Sequence, residues 1–242
     1  MKTNWTLPTL NLPVKALFTG YLLVVGLGLL MAGAQIMFTH GMADGKLGLS
    51  VDDVVYSYYG KADGTKLEAK LEGSMKDKAP EEIRREMIQW ARLGAPEAEW
   101  EPKFKQHFQQ HCVMCHSVIP SLPDFREYSQ VKQMAQIDEG VSIESLTRVS
   151  HIHLFGIAFI FMFVGLIFSF ALGFKPWVQA ALIFTPFAFL ILDILSWWLT
   201  KMSPGFAWLT IIGGLGYSLA STVMIFTSLY QMWLYKPKVT EA

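Results

Sequence analysis

Cysteine is scarce in this sequence: Cys112 and Cys115 are the only two among 242 residues. Charge is also scarce over long stretches. Outside 41–150 the only Asp, Glu, Lys or Arg residues are Asp193, Glu241, Lys2, Lys15, Lys175, Lys201, Lys236 and Lys238. Combined with 52% hydrophobic content, this excludes an ordinary soluble protein and puts part of the chain in lipid. No cationic cluster is present to displace counterions from phosphates, so nucleic acid is excluded as a partner. Internal repeats and low-complexity tracts are absent too.

The charge that does exist is concentrated. Residues 41–150 carry 18 of the 20 acidic and 14 of the 20 basic residues, a net of −4. A mildly acidic soluble domain is thus inserted into a nearly uncharged matrix. That matrix offers four stretches long enough to cross a bilayer, for which about 20 apolar residues suffice. They are 16–38, 154–174, 176–199 (interrupted by Asp193) and roughly 206–235, with "MSPG" as the entry turn of the last.

Lysine placement gives an orientation, because cytoplasmic flanks accumulate Lys and Arg. With the N-terminus inside, Lys2, Lys15, Lys175, Lys236 and Lys238 are cytoplasmic and only Lys201 lies in an outer loop. Both termini are then cytoplasmic and 41–150 lies on the outer side. The first stretch also has features of a signal peptide, with "AGA" at 32–34 as a cleavage site. Its apolar run continues to Phe38, so it is read as an uncleaved anchor. The expected organisation is a cytoplasmic tail and first crossing in 1–40, a soluble domain in 41–150, and three further crossings in 151–242.

The inserted domain reads as all helical. "GLSVDDVVYSYYG" offers Ser50 as N-cap, acids in the first turn and Gly60 as a stop. "APEEIRREMIQWARLG" repeats that grammar, with Ile83, Met87 and Trp90 at helical spacing and Gly94 at the end. "EAEWEPKFKQHFQQHC" carries Trp100, Phe104 and Phe108 at i, i+4 and i+8 directly into the cysteines. "SIESLTRVSHIHLFG", capped by Ser142, is expected to continue into the second crossing.

Four chemistries compete for "HCVMCH". A redox dithiol of the thioredoxin kind expects a strand and turn before the helix, and no strand pattern precedes Cys112. Zinc could recruit His107 or His111 to join Cys112, Cys115 and His116, although neighbours such as His111 and Cys112 would diverge in direction. A plain disulfide leaves His116 without a role. Covalent haem attachment uses all three residues: two thiols add to the vinyl groups and the adjoining imidazole coordinates iron.

The run Cys112-Val113-Met114-Cys115-His116 resembles the C-x-x-C-H motif of the c-type cytochromes. The resemblance extends from about Trp100 to Ile137, with a helix leading into the motif and "SVIPSLPDF" after it similar to a loop lining a haem edge. It implies one covalent haem c held by Cys112 and Cys115, with His116 as the proximal iron ligand. It also implies attachment on the outer face of the bacterial inner membrane, the periplasmic side that lysine placement indicates. The expected fold is all-α, four transmembrane helices with an inserted helical cytochrome c-like periplasmic domain.

For the sixth iron ligand, His151 and His153 rank slightly above Met134, with an open site third. Met134 lies 18 residues after His116, and the two histidines lie 35 and 37 after it. Two residues apart on a helix, those histidines point about 200° from one another, so one of them at most is expected to reach the iron. Histidine would lower the potential and methionine raise it.

Asp193, in the third crossing, costs several kcal/mol unless paired. It is either a neutral acid tying helices together through Tyr217 or Ser218, or the proton acceptor for a quinol near His40 or His153. A second haem or metal held by His40 with His151 or His153 is a weaker expectation. Glycines 20, 26, 28 and 33, with Gly213, Gly214 and Gly216, would let helix backbones approach closely. Trp197, Trp198, Trp208 and Trp233 read as interfacial anchors.

With one haem and no other redox motif, the chain is expected to relay single electrons from a membrane donor, a quinol or a respiratory complex, to a periplasmic redox protein. Two alternatives stand beside this: an accessory haem subunit of a larger complex or homo-oligomer, and a haem-based gas sensor.

Overall fold

The computed structural model describes residues 5–39, 41, 43, 44, 46, 48–61, 63–119 and 122–236. Every extended element among them is a helix, and Thr65 with Ile137 forms an isolated β-bridge. The chain divides into two compact units, one of 36–142 with 200–204, the other of the remainder.

The second of these holds the long apolar helices α1 (Leu12–Thr39), α8 (Ile143–Phe168), α9 (Pro176–Met202) and α10 (Ala207–Trp233), apart from the last residues of α1 and α9. All four are long and apolar enough to cross a membrane. At about 1.5 Å per residue, even the shortest exceeds the roughly 30 Å hydrocarbon core. As expected, α8 starts beyond Ser142 and runs through both histidines without a break. It stops at Phe168, short of 174, where the N–H groups of Phe170 and Ala171 turn back onto the carbonyls of Ile167 and Phe168 at 3.2 and 2.9 Å. Gln179 Nε2 donates to the carbonyls of Phe168, Ser169 and Ala171 at 3.0–3.2 Å. Gln231 then brackets Leu172 from both sides, its Oε1 accepting from the backbone N–H and its Nε2 donating to the carbonyl.

Lys15 serves a structural purpose as well as marking topology. Its ammonium donates to the carbonyls of Pro8 at 2.9 Å and Met232 at 2.7 Å, placing a cation on the negative end of α10. The glycines divide unevenly. A Cβ on Gly213 would lie 2.7 Å from Asp193 Cβ, and one on Gly216 would lie 2.4 Å from the Phe189 ring, so α9 and α10 meet almost backbone to backbone. In α1, by contrast, Cβ atoms at Gly20, Gly26, Gly28 and Gly33 would meet nothing within 4 Å. Of the glycines expected to allow close approach, those of α10 at 213 and 216 do so and those of α1 do not.

The other unit contains α2 (Val51–Tyr58), α3 (Lys66–Glu72), α4 (Glu81–Arg92), α5 (Lys105–His111), α6 (Val113–His116) and α7 (Tyr128–Met134). Ser50 caps α2 through a capping box: its hydroxyl accepts from Asp53 N–H at 3.1 Å, and the Asp53 carboxylate accepts from Ser50 N–H at 2.8 Å. Two sequence-distant segments are sewn together by backbone bonds from Lys66 N–H to Gln136, Asp138 N–H to Gly64, and Val141 N–H to Ser57, each 3.0 Å.

The core of this unit is aromatic. Trp90 stacks on Phe104 at 4.4 Å, and Trp100 and Phe108 close around it. The i, i+4, i+8 spacing correctly marks Trp100, Phe104 and Phe108 as buried. It does not foretell the wide π turn at Trp100–Phe104, where Pro102, having no N–H to give the helical ladder, precedes regular α5.

Glu68 is fully buried and receives a bidentate hydrogen-bonded pair from Arg92, with Lys61 Nζ 3.8 Å away. Arg92 holds the carboxyl below its ordinary range against the opposing effect of burial. A depressed folded pKa contributes stability that is complete above the unfolded value of about 4.3 and is lost as pH falls through the folded value. Unfolding followed from neutral pH to about pH 3 should show this acid loss, and Glu68→Gln should flatten that part of the profile.

Candidate functional site

The aromatic core leads directly to the cysteine motif. Phe108, on α5, has no exposed surface and meets Phe125 edge to face at 5.2 Å; Phe125 in turn stacks on the His116 imidazole at 4.1 Å and 20°. Between these elements the helix breaks at Cys112, whose φ of −121° ends α5 and opens α6. The new turn is closed by Cys115 N–H and His116 N–H, both donating to the Cys112 carbonyl at 3.3 and 3.1 Å. Both motif thiols and the imidazole therefore sit on one short turn anchored to the core.

The His116 ring is oriented by a backbone group. Its Nδ1 lies 3.0 Å from the carbonyl of Pro123, and a carbonyl can only accept, so Nδ1 carries the proton. The lone pair then sits on Nε2, the arrangement in which histidine acts as a metal ligand. The donor set thus fits an iron porphyrin on its proximal side.

The thiols are not joined to each other. Cys112 packs on the core, and burial pushes its thiol up to about 11, so it is a neutral S–H rather than a thiolate. Cys115 is exposed, as are Met114 (80%), Val118 (74%) and Ile119. An apolar surface thus surrounds the motif, suited to a flat hydrophobic group. A zinc shell is not assembled: among the described residues no three His, Cys, Asp or Glu side chains converge. His107 is turned elsewhere, its Nε2 3.5 Å from Glu86 Oε2 and its ring against Phe104.

The distal candidates are dispersed. Met134 ends α7 and lines a cleft of about 270 Å³ with Tyr56, Ser57, Lys66, Lys70, Asp138, Gly140 and Val141, a lining with no motif residue in it. His151 and His153 belong to the other unit and diverge on α8 as helical geometry requires. His151 is exposed beside Phe155, while His153 turns inward, its Nδ1 2.9 Å from the Val149 carbonyl and its ring edge-on to Trp197 at 5.3 Å. His40 lies outside the described residues.

Asp193 is buried; Trp197 Nε1 donates to Asp193 Oδ1 at 3.0 Å, and Tyr217, one of the two partners expected, lies within electrostatic reach of the carboxyl from α10. Trp197 is correspondingly a buried residue, 6% exposed, and not the interfacial anchor expected, whereas Trp208 and Trp233 are half exposed. The i, i+4 spacing of Asp193 and Trp197 was the available signal. One turn of α9 thus brings together Asp193, Trp197 and, from α8, His153.

Residues 125–239 are similar to a family model described as a transmembrane helical domain. No curated protein matches the chain, and neither does any solved structure. The matched region contains α8, α9 and α10 entire, so the four apolar helices and the comparison agree on a multi-pass membrane protein.

Proposed function

We propose that the chain is a membrane-anchored c-type cytochrome that relays single electrons from a membrane donor, a quinol or a respiratory complex, to a periplasmic redox protein. The observation that carries this is the His116 Nδ1–Pro123 carbonyl bond, which presents Nε2 as a ligand beside two unpaired thiols. Cys112 and Cys115 would hold the haem by thioether bonds and His116 would bind its iron. When bound, the group supplies an iron centre that cycles by one electron.

The chain's own contribution is positional. Pro123 fixes the imidazole tautomer and strengthens its donor nitrogen. The core beneath Cys112 keeps one attachment point rigid and dry, while exposed Cys115 leaves the other open to attachment. Lysine placement supports a periplasmic site for this unit and cytoplasmic termini, in the inner membrane of a bacterium. The two ends of 36–142 both continue into membrane helices, which limits diffusion of the centre and suits exchange with a membrane-borne donor.

Spectroscopic redox titration of the detergent-purified protein tests this reading. A single transition of one electron per chain is expected, with reduction by a short-chain quinol or by a co-purifying complex. Absence of any redox-dependent visible band would overturn it. A reduced spectrum that shifts under carbon monoxide at neutral pH would favour gas binding instead.

A further inference from the structure

His116 is held at more than its Nδ1 atom. A hydrogen bond to one carbonyl fixes a point on the ring but leaves rotation about the Nδ1···O line, and that rotation moves Nε2. The stacking of Phe125 at 4.1 Å and 20° removes this freedom. Phe125 is itself immobilised: it is 4% exposed, and Phe108, with no exposed surface, meets it edge to face at 5.2 Å. Phe108 rests on Trp90 and Trp100. Close-packed interiors transmit such constraints because their side chains occupy single rotamers.

Phe125 also lies two residues beyond Pro123, so one short loop supplies both the carbonyl and the ring face. The flat ring covers one face of the imidazole next to the hydrogen bond, limiting access of water to it. This matters for the proton. A free histidine side chain prefers its proton on Nε2, so the Nδ1–H form present here has to be held against that preference.

We infer that Phe125 is the positioning residue for the His116 imidazole, setting its plane and, together with the Pro123 carbonyl, its tautomer. The inference deepens the cytochrome reading, in which the plane of His116 becomes the plane of the axial ligand, but the restraint on the ring exists whether or not haem is attached.

Phe125→Leu keeps an apolar side chain in the core and removes the flat face; Phe125→Tyr keeps the face. Thermal unfolding establishes that each variant is folded. In haem-loaded protein, electron paramagnetic resonance of the ferric state reports the orientation of the axial imidazole. Wild type and Phe125→Tyr should give one narrow set of g values, and Phe125→Leu a broadened or split set. In haem-free protein, nitrogen-15 NMR of histidine reports the tautomer. Loss of the face should raise the Nε2–H form of His116 to about a tenth of the population or more, from a wild-type level about tenfold lower.

Folded Phe125→Leu protein with wild-type g values, or with a wild-type tautomer ratio where no haem is attached, would overturn the inference. Should Phe125→Leu fail to fold, a shifted signal from folded Phe125→Tyr would overturn it, and an unshifted one would support it, because only that variant preserves the face. Failure of the cytochrome reading is a separate result: it appears as haem-free wild-type protein, in which the tautomer measurement still decides the role of Phe125.

Discussion

Under the proposed haem attachment, replacing Cys112 and Cys115 together by alanine should remove all covalently bound haem and leave a colourless denatured polypeptide. The two sulfurs are the only sites in the chain that can form thioether bonds to vinyl groups. They occupy one turn with His116, so loss of both removes every covalent link while leaving the imidazole and its bond to Pro123 in place. The single variants should differ. Cys115 is exposed, and Cys115→Ala should cost one attachment point with little change in packing. Cys112 packs against the aromatic core, so Cys112→Ala should also lower stability, by about 1 kcal/mol, the central value for a single substitution. Any group bound to the folded state stabilises it, so the double variant should also lose abundance several-fold in cells. Haem quantification and immunoblotting of the three variants check the order.

A second large effect is expected far from the motif. Gly60 has φ of +90°, and a Cβ there would lie 2.1 Å from the Asp138 carbonyl oxygen and 2.3 Å from Gly140 N. Neither contact can be relieved by a side-chain rotation, because both atoms belong to the backbone seam that ties α2 to the segment after α7. Gly60→Ala therefore combines a strained backbone, about 1–3 kcal/mol, with overpacking of about 1–3 kcal/mol. For a domain of this size each kcal/mol lowers Tm by about 4–8 °C, so a fall of about 10 °C or more is expected. Gly94→Ala is the matched comparison. Gly94 has φ of +83° but open space around it, so only the backbone contribution applies, and about half the fall or less should be seen by circular dichroism.

Much of the helical framework was legible because burial follows simple periods. Met87 and Trp90 on α4, and Trp100, Phe104 and Phe108 further on, are buried as their spacing indicates, and Ser50, Gly60 and Gly94 punctuate helices as their chemistry requires. The divergence of His151 and His153 likewise follows from the helical turn. Helix α3 carries the same grammar, which the sequence reading passed over: Thr65 caps it by accepting from Glu68 N–H at 3.1 Å, Leu67 and Leu71 are buried at i, i+4, and Gly73 ends it.

Within the site, the motif was visible as residue identities, but its orientation was not. The Pro123 carbonyl is a backbone group whose direction depends on the path of a loop, and the Phe125 ring reaches His116 only because α5 places Phe108 behind it. In the membrane unit, the sequence marked Asp193 as costly and offered Tyr217 or Ser218 as its partner, but not Trp197. Tryptophan near a helix end suggested the lipid boundary, yet Trp197 points inward, because a buried carboxyl group offers its N–H an acceptor that lipid does not. The glycines of α1 and α10 look alike in sequence and differ only in whether another helix lies against them.

The most direct test of a haem-bearing membrane cytochrome is the intact mass of the denatured polypeptide from bacterial cells with a working cytochrome-maturation system. The mass of the chain plus one haem, lost in the Cys112→Ala/Cys115→Ala variant, is the predicted result. The bare polypeptide mass from those same cells would contradict it.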